Sequence, residues 1–214
     1  MRRKGALILT LSGLLTVSAL GATTASADDS PAPAEVAPEG WQVVDDALMN
    51  ELLVRAGEAR LSAEADEPEE LPWGIQSVTN DLFVASEQSF REPNTGLLRA
   101  RSEGINGSWE LYDLYWNENE TLSIRSTANE KFVAAELNRT GSEKGVLRAR
   151  SEGVNGGWEQ FILLYHEVTG RYAFQSVANG LVVSTEKNFT GNLQNALRAR
   201  SDWINGSWEE FYLI

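Results

Sequence analysis

The side chains of this 214-residue chain that could do chemistry are arginines, tryptophans, carboxylates and a single histidine, His166. The sequence contains no cysteine, which excludes disulfides, thiolate metal sites and cysteine nucleophiles. One histidine cannot build a His-rich metal site, and nothing near it in sequence suggests a Ser-His-Asp arrangement. A glycine-rich phosphate-binding loop is also missing. We therefore expect no enzyme activity, no metal and no cofactor.

Arginines recur in pairs within a repeated segment, LRARS. The segment stands at Leu98–Ser102, Leu147–Ser151 and Leu197–Ser201. In a β-strand its leucine and alanine face one side of the sheet and both arginines face the other. The first arginines of the pairs, Arg99, Arg148 and Arg198, are therefore candidate contacts for an anionic ligand. The alternative is an internal ion pair with a neighbouring glutamate, which the net negative charge of this part of the chain favours.

A Trp-Glu pair follows each of these segments. The pairs are Trp109-Glu110, Trp158-Glu159 and Trp208-Glu209. Because the same large ring recurs three times, we interpret it as packing and expect the rings to fill space beneath three hairpins. The glutamates share strand parity with the aromatic residues at 112, 161 and 211. We therefore expect them to point partly inward and to need a partner, either backbone N–H groups or an arginine.

Residues that break the repetition are better candidates for ligand binding, because packing does not require them. Trp203 stands where the other copies have Gly104 and Gly153, in a loop that is expected to expose its ring. Trp116 and His166 fall in the connections between repeats. An exposed indole can stack on a sugar ring or anchor a protein partner, or it can fold over a neighbouring part of the same chain.

All of these residues must be positioned by a threefold repeat with a period of 49 to 50 residues. Each repeat divides into four short segments with strand character, separated by Asn-Gly or similar turns. The third segment is LRAR, and the fourth begins at Trp-Glu. Antiparallel strands in three equal sets of four predict an all-β protein, a closed β-trefoil, rather than a propeller, which needs about four or more blades. The repeats are expected at about 73–121, 122–171 and 172–214.

The repeat unit resembles that of the fascin-like β-trefoils. The similarity lies in an Ala-Asn-Gly turn (178–180), the Leu-x-Ala-x-Arg/Ser strand (197–201) and Trp-Glu-x-Phe (208–211), and it extends over residues 73–214. The first repeat departs most, with Tyr112 in place of Phe. That family includes actin-bundling proteins and single trefoils of secreted bacterial proteins, some attached to glycan-degrading enzymes. The resemblance therefore implies the fold and leaves several binding functions open.

The first 27 residues have the features of a secretory signal peptide. Three cations at positions 2–4 precede an apolar run, and residues 25–27 form an A-x-A cleavage pattern, so we expect cleavage after Ala27. The apolar run is too short for a retained membrane anchor, and no second run follows it. We therefore expect an exported protein without stable membrane insertion.

Residues 28–72 form an acidic arm with 13 acidic and 2 basic side chains, net −11, against −5 for residues 73–214. From Ser30 to Gly40 the arm is rich in Pro and Ala, which predicts an extended linker. From Trp41 to about Leu61, apolar residues at helical spacing predict a short amphipathic helix. We expect that helix to be a loosely packed spacer. Docking on the domain, a pro-segment and a partner-binding handle are the alternatives.

These features exclude some partners and favour others. The negative charge argues against nucleic acid, because phosphate binding needs clustered cations. We expect a secreted, extracellular bacterial protein, a non-catalytic monomer that binds a glycan or a surface polymer through the lobes of the trefoil. An extracellular protein-interaction module, inhibitor-like or adhesin-like, is the alternative. Actin binding, which the resemblance implies, is disfavoured because an acidic domain offers few basic patches to an acidic filament.

Overall fold

The computed structural model describes residues 2–3, 37–45, 47–52, 54 and 72–214. Two short strands precede the repeats, β1 (Arg2–Arg3) and β2 (Gln42–Val43). The repeats contain β3 (Trp73–Ser77), β4 (Phe83–Glu87), β5 (Leu97–Ser102), β6 (Leu111–Trp116), β7 (Leu122–Ser126), β8 (Phe132–Ala135), β9 (Leu147–Ser151), β10 (Phe161–His166), β11 (Arg171–Ser176), β12 (Val182–Glu186), β13 (Ala196–Ser201) and β14 (Phe211–Leu213). No helix within these ranges is long and apolar enough to cross a membrane.

Six strands close into an antiparallel barrel. The first and fourth strands of the repeats pair in the order β3, β6, β7, β10, β11, β14 and back to β3. Alternate side chains of these strands point into the barrel, which accounts for the alternation of apolar and polar residues in the sequence. The interior receives one large aromatic side chain from each repeat, Tyr112, Phe161 and Phe211, and all three are fully buried.

The second and third strands of each repeat form a hairpin, and the three hairpins meet at one end of the barrel. They are β4–β5, β8–β9 and β12–β13. Where they meet, Gly96 and Gly145 have φ angles of 79° and 88°. A Cβ there would lie 2.4 and 2.5 Å from the carbonyl oxygens of Ala149 and Ala199, so these two positions require glycine. The third equivalent position is Asn195, whose carbonyl oxygen accepts a slightly longer bond from Ala100 N–H at 3.0 Å. A six-stranded barrel closed by three hairpins is the β-trefoil that the repeat predicts.

The fourth strand of each repeat starts later than the sequence predicts. In the first two repeats the Trp-Glu pair lies in a 3₁₀ turn, Ser108–Glu110 or Gly157–Glu159, and β6 and β10 begin after it. The glutamate bends the chain here, because its buried carboxylate binds the loop that precedes it. Two further 3₁₀ turns, Gly141–Glu143 and Gly191–Leu193, lie in the loops of the second and third hairpins.

The arm docks on the domain, contrary to the expectation of a loose spacer. Residues 42–43, predicted to be helical, form β2, which pairs with β10 at Leu164 and Tyr165. Among the described residues of the arm, those at 47–52 and 54 are helical. Three arm side chains are buried in the same apolar cluster as the barrel interior: Val44, Met49 and Leu52. Their burial attaches the arm firmly to the barrel.

Other expectations for the N-terminal part fall largely outside the described residues. The predicted signal sequence, residues 1–27, is described only at Arg2–Arg3, whose backbone pairs with β6 at Trp116 and Tyr115. The predicted linker over Ser30 to Gly40 is described from residue 37, and the end of the predicted helix and the acidic segment after it lie outside the described residues. These predictions stay predictions.

Candidate functional site

The paired arginines form internal ion pairs. A glutamate at the end of the second strand of each repeat, Glu87 or Glu186, or directly after it, Glu136, is buried and binds both arginines of the LRARS segment. In the second repeat, Glu136 Oε1 lies 2.6 Å from Arg150 Nε and 3.5 Å from Arg148 Nη1. Each buried carboxylate is therefore neutralised by two guanidinium groups on the next strand.

The first arginine of each pair also joins its repeat to a neighbour. The three bonds run from Nε to a carbonyl oxygen: Arg99 to Gln194 at 2.8 Å, Arg148 to Thr95 at 2.9 Å, and Arg198 to Lys144 at 2.7 Å. They form a ring around the threefold axis, each repeat bonding to the one before it. Of the two interpretations open from the sequence, this geometry favours the internal one. These guanidinium groups join the hairpins to one another, and their hydrogen bonds are used within the protein rather than for an anionic ligand.

The repeated glutamates of the Trp-Glu pairs close the loop between the third and fourth strands. Glu110 Oε1 accepts a hydrogen bond from Ser102 Oγ at 2.7 Å, and its Oε2 accepts one from the Asn106 backbone N–H at 3.3 Å. Glu159 is bound in the same way by Ser151 and Asn155. The partner of each buried carboxylate is therefore the loop backbone with a serine, and not an arginine.

The tryptophans of these pairs do not fill space beneath the hairpins. Trp109 and Trp158 are 54% and 37% exposed, so the predicted packing role is wrong for both. Trp208 is partly buried, and the Arg200 guanidinium carbon lies 5.7 Å from the centre of its ring. The cause is local: the glutamate takes the inward position in the turn, so the indole before it is directed outward.

The loop that carries Trp203 has its own hydrogen bonds. Trp203 is 52% exposed, as the sequence predicts. Its carbonyl oxygen accepts a bond from Ser201 Oγ at 2.7 Å, whereas the equivalent serines of the other repeats bind the loop glutamate. Ser184, which stands where those repeats have alanine, supplies the missing bond to Glu209 Oε1 at 2.6 Å. The third repeat thus differs from the other two at both Trp203 and Ser184, and the two differences are linked through Ser201 and Glu209.

Trp116 and His166 face packed surroundings instead of solvent, which corrects their prediction as ligand contacts in connecting segments. Trp116 ends β6, is 5% exposed, and donates its indole N–H to Glu120 Oε2 at 3.1 Å. His166 ends β10 and lies partly buried beneath the arm, where its ring meets that of Trp41 edge-on at 5.2 Å. Its Nδ1 is buried and has no hydrogen-bond partner among the described residues.

A feature that the sequence did not reveal is a cleft of about 430 Å³ on the outer surface of the second repeat. We call it the repeat-2 cleft, and its lining residues are Tyr115, Arg125, Asn129, Glu130, Lys131, Phe132 and Glu152. Tyr115 comes from β6 of the first repeat, so the cleft spans a repeat boundary. The rings of Tyr115 and Phe132 touch, with centroids 5.6 Å apart and planes inclined at 59°.

Polar groups of the repeat-2 cleft hold one another in place. Arg125 Nε donates to the Glu130 carbonyl oxygen at 2.9 Å, and Nη1 lies 3.4 Å from Tyr115 Oη and 3.7 Å from Asp113 Oδ2. The Lys131 ammonium pairs with the Glu152 carboxylate. Both cations face carboxylates, so the cleft offers oriented donors and acceptors without surplus positive charge.

The sequence did contain a signal for this cleft. At the positions equivalent to Tyr115, Arg125 and Lys131 one repeat later, the chain has Leu164, Gln175 and Leu181. These three residues break the repetition as Trp203 does. Their joint position became visible only with the pairing of β6 and β7 across the repeat boundary.

The equivalent surfaces of the other repeats are filled. At the surface of the third repeat, Leu164 from β10 of the second repeat and Val182 replace the two aromatic residues, and they belong to an apolar cluster with Ile204 and the arm residues Trp41 and Val43. In the first repeat, the Ile105 side chain takes the space. A Cβ at Gly74 would lie 2.7 Å from Ile105 Cδ1 and 3.3 Å from Cε1 of Phe83, the counterpart of Phe132.

Comparison with solved structures decides the fold. The chain is similar to ThreeFoil, a designed threefold-symmetric protein, with a TM-score of 0.55 and 13% identity over 66% of this chain and 96% of that one. It is also similar to the BEL β-trefoil, with a TM-score of 0.51 and 10% identity over 70% of this chain and 95% of that one. The chain is a β-trefoil.

A third similarity is to part of a larger enzyme. The GlcNAcα1-4Gal-releasing endo-β-galactosidase of Clostridium perfringens matches with a TM-score of 0.53 and 12% identity, over 71% of this chain and 34% of the enzyme. The trefoil thus spans about a third of that enzyme's length. No protein-family model matches the sequence, and neither does any curated protein. At these identities the similarities show the fold alone.

Proposed function

We propose that this chain is a secreted, non-catalytic glycan-binding protein of bacterial origin, related to the fascin-like β-trefoils, and that the repeat-2 cleft is its binding site. The observation that carries the proposal is the lining of the cleft. The partly buried ring of Tyr115, backed by the buried ring of Phe132, is bordered by guanidinium, ammonium, amide and carboxylate groups. A sugar ring matches this lining, because it presents apolar C–H faces together with hydroxyls that both donate and accept.

The carboxylates of the cleft support binding rather than hydrolysis. Glycoside hydrolysis needs an acid and a second carboxylate that is free to act as nucleophile or base. Here Glu152 is paired with Lys131, and Glu130 lies 3.5 Å from Arg125. Paired in this way, they orient a ligand's hydroxyl groups.

Two further observations agree with the proposal without carrying it. The signal-like residues 1–27 favour export. Among the structural neighbours, the endo-β-galactosidase acts on a glycan, which is compatible with a trefoil placed near carbohydrate. Because one fold hosts many functions, fold similarity alone does not support glycan binding, and the proposal rests on the residues that line the cleft.

A second candidate function is protein interaction through the loop of Trp203. An indole that is 52% exposed, in a loop with its own hydrogen bonds, is the kind of residue that anchors a protein partner. Trp203→Ala separates the two candidates. It should leave glycan binding unchanged and abolish capture of a protein partner from the surroundings of the producing cell.

The test of the glycan proposal is Tyr115→Ala. A glycan array with the full mature chain identifies a ligand, and calorimetry then measures its affinity. We expect Tyr115→Ala to weaken binding at least about tenfold, equal to about 1.4 kcal/mol, because one wall of the cleft is lost. Trp203→Ala is the matched aromatic control and should bind normally. Absence of binding to every glycan on the array, or normal binding by Tyr115→Ala with an unchanged unfolding curve, contradicts the proposal.

A further inference from the structure

The three repeats have equivalent outer surfaces. At the described residues, the surface in the second repeat is the repeat-2 cleft, whereas those of the third and first repeats are covered by the arm and by Ile105, and the charges of the cleft are already paired. From these two observations we infer that the chain carries one saccharide site, and that the site takes an uncharged sugar unit. This inference rests on the proposed glycan-binding function and specifies its stoichiometry and ligand class.

The surface of the third repeat is closed by the chain itself. β2 adds to the edge of β10 at Leu164 and Tyr165, and Trp41 and Val43 then pack on the positions that form the aromatic wall in the second repeat. The arm is anchored beside this surface, because the side chains of Val44, Met49 and Leu52 are buried in the barrel core. The arm therefore covers the surface on which a ligand would have to bind.

The surface of the first repeat is closed by a side chain of its own loop. Ile105 lies against Gly74 and Phe83, where the second repeat has the shorter Val154 in the loop and Ser123 on the strand. Ile214 takes the place of Tyr115, so this surface also lacks the phenol group that bonds to Arg125. Among these three surfaces, the one in the second repeat combines an aromatic wall with an open cleft.

The charge distribution of the cleft selects against anionic sugars. Two cations, Arg125 and Lys131, face three carboxylates, those of Asp113, Glu130 and Glu152. A sulfate or uronate would have to displace one of these carboxylates and would meet the remaining ones as like charges. The surrounding domain, residues 73–214, adds a net charge of −5.

An uncharged sugar needs no such displacement. A hydroxyl group can accept a hydrogen bond from the Lys131 ammonium and donate one to the Glu152 carboxylate while the pair stays intact. The same holds at Arg125 with Glu130. Neighbouring hydroxyls on a ring that lies against Tyr115 and Phe132 thus find both a donor and an acceptor.

The experiment uses the full mature chain on an array that contains neutral, sulfated and uronic-acid glycans, followed by calorimetry with the best ligand. We expect a neutral glycan to bind with a stoichiometry of one per chain. Its affinity should change less than about twofold between low and physiological salt, because no net ion pair forms with the ligand. Arg125→Ala should weaken binding about tenfold or more, and Gln175→Ala, the equivalent substitution in the third repeat, should leave it unchanged.

The outcomes separate the two levels of the proposal. Binding of two or three glycans per chain, selective binding of sulfated or uronic glycans, or equal effects of Arg125→Ala and Gln175→Ala would overturn this inference and leave the glycan-binding function standing. No binding to any glycan would overturn the proposed function and this inference with it.

Discussion

Single residues decide whether buried polar atoms at the interfaces between repeats are paired. Ser86 Oγ and Ser126 Oγ lie 2.8 Å apart between the first and second repeats, and Thr185 Oγ1 and Ser77 Oγ lie 2.9 Å apart between the third and first. At the remaining interface, Ser176 Oγ is buried without a partner in the described part of the chain. The cause is visible in the sequence, since Ala135 stands where the other repeats have Ser86 and Thr185.

We predict that Ala135→Ser stabilises the protein by about 1 kcal/mol, because the new hydroxyl can pair with Ser176 as Ser86 pairs with Ser126. Chemical denaturation measures the change in the free energy of unfolding. The control is Ser86→Ala, which leaves Ser126 Oγ with only the 3.3 Å hydrogen bond from the Ala128 backbone N–H and should lower stability by about 1 kcal/mol. A loss of stability in Ala135→Ser would show that this interface has no space for the hydroxyl.

The tryptophans show what residue type alone does not reveal. Repetition of Trp109 and Trp158 favoured a packing role, but the inward position belongs to the neighbouring glutamate, and both indoles are exposed. Side-chain direction here depends on a turn closed by Glu110 and Ser102 at 2.7 Å, residues that are separated in sequence and meet only in the folded loop. Trp203 was predicted to be exposed because it stands in a hairpin loop, at a position where the other repeats have glycine.

At the scale of elements, the arm combines a strand and a short helix where the sequence predicts one helix. The helical spacing selected the right apolar residues, since Val44 and Leu52 are buried. It could not show that residues 42–43 pair with β10, because that strand edge exists only once the barrel has formed. Tertiary context thus overrides local periodicity.

We predict that Met49→Ala lowers the free energy of unfolding by about 2 kcal/mol or more, as expected for a large-to-small change in a packed core. Met49 is buried in the barrel cluster, whereas the adjacent Asn50 is exposed. Asn50→Ala is therefore the matched control and should be near neutral. Thermal and chemical unfolding of both variants measure the difference. Equal stability of the two would mean that the arm does not contribute to the core in solution.

At the scale of the whole molecule, a ring of glutamate–arginine ion pairs and arginine–carbonyl hydrogen bonds joins the three repeats. The buried glutamates at 87, 136 and 186 each bind two arginines, and one arginine of each pair reaches a carbonyl oxygen of the preceding repeat. The fold itself was predictable, because the repeat length and the strand patterns define a trefoil. The repeat-2 cleft was not, because it forms between β6 and the strands of the next repeat.

Glu136→Gln tests this ring. Losing the carboxylate removes the counter-charge that Arg148 and Arg150 share. We predict a loss of about 2 kcal/mol, since Arg148 keeps its ion pair with Glu92 and Arg150 keeps partial access to water. Denaturation curves give the value, and Glu118→Gln, at an exposed position, is the control with no expected change. If the Glu136 variant unfolds like the control, the ion pairs contribute nothing to holding the repeats together.

The seam of the barrel joins the first strand of the repeats to the last, because β3 pairs with β14. A ribosome releases β3 long before Phe211–Leu213, and it releases the arm long before β10, to which β2 pairs. Until β14 is present, the edge of β3 that pairs with it has no partner and is open to pairing with other chains. The arm is also synthesised before β10, the strand with which it pairs. Its acidic composition favours hydration of the arm until β10 is present. Pairing of β14 with β3 closes this edge and removes it from association with other chains.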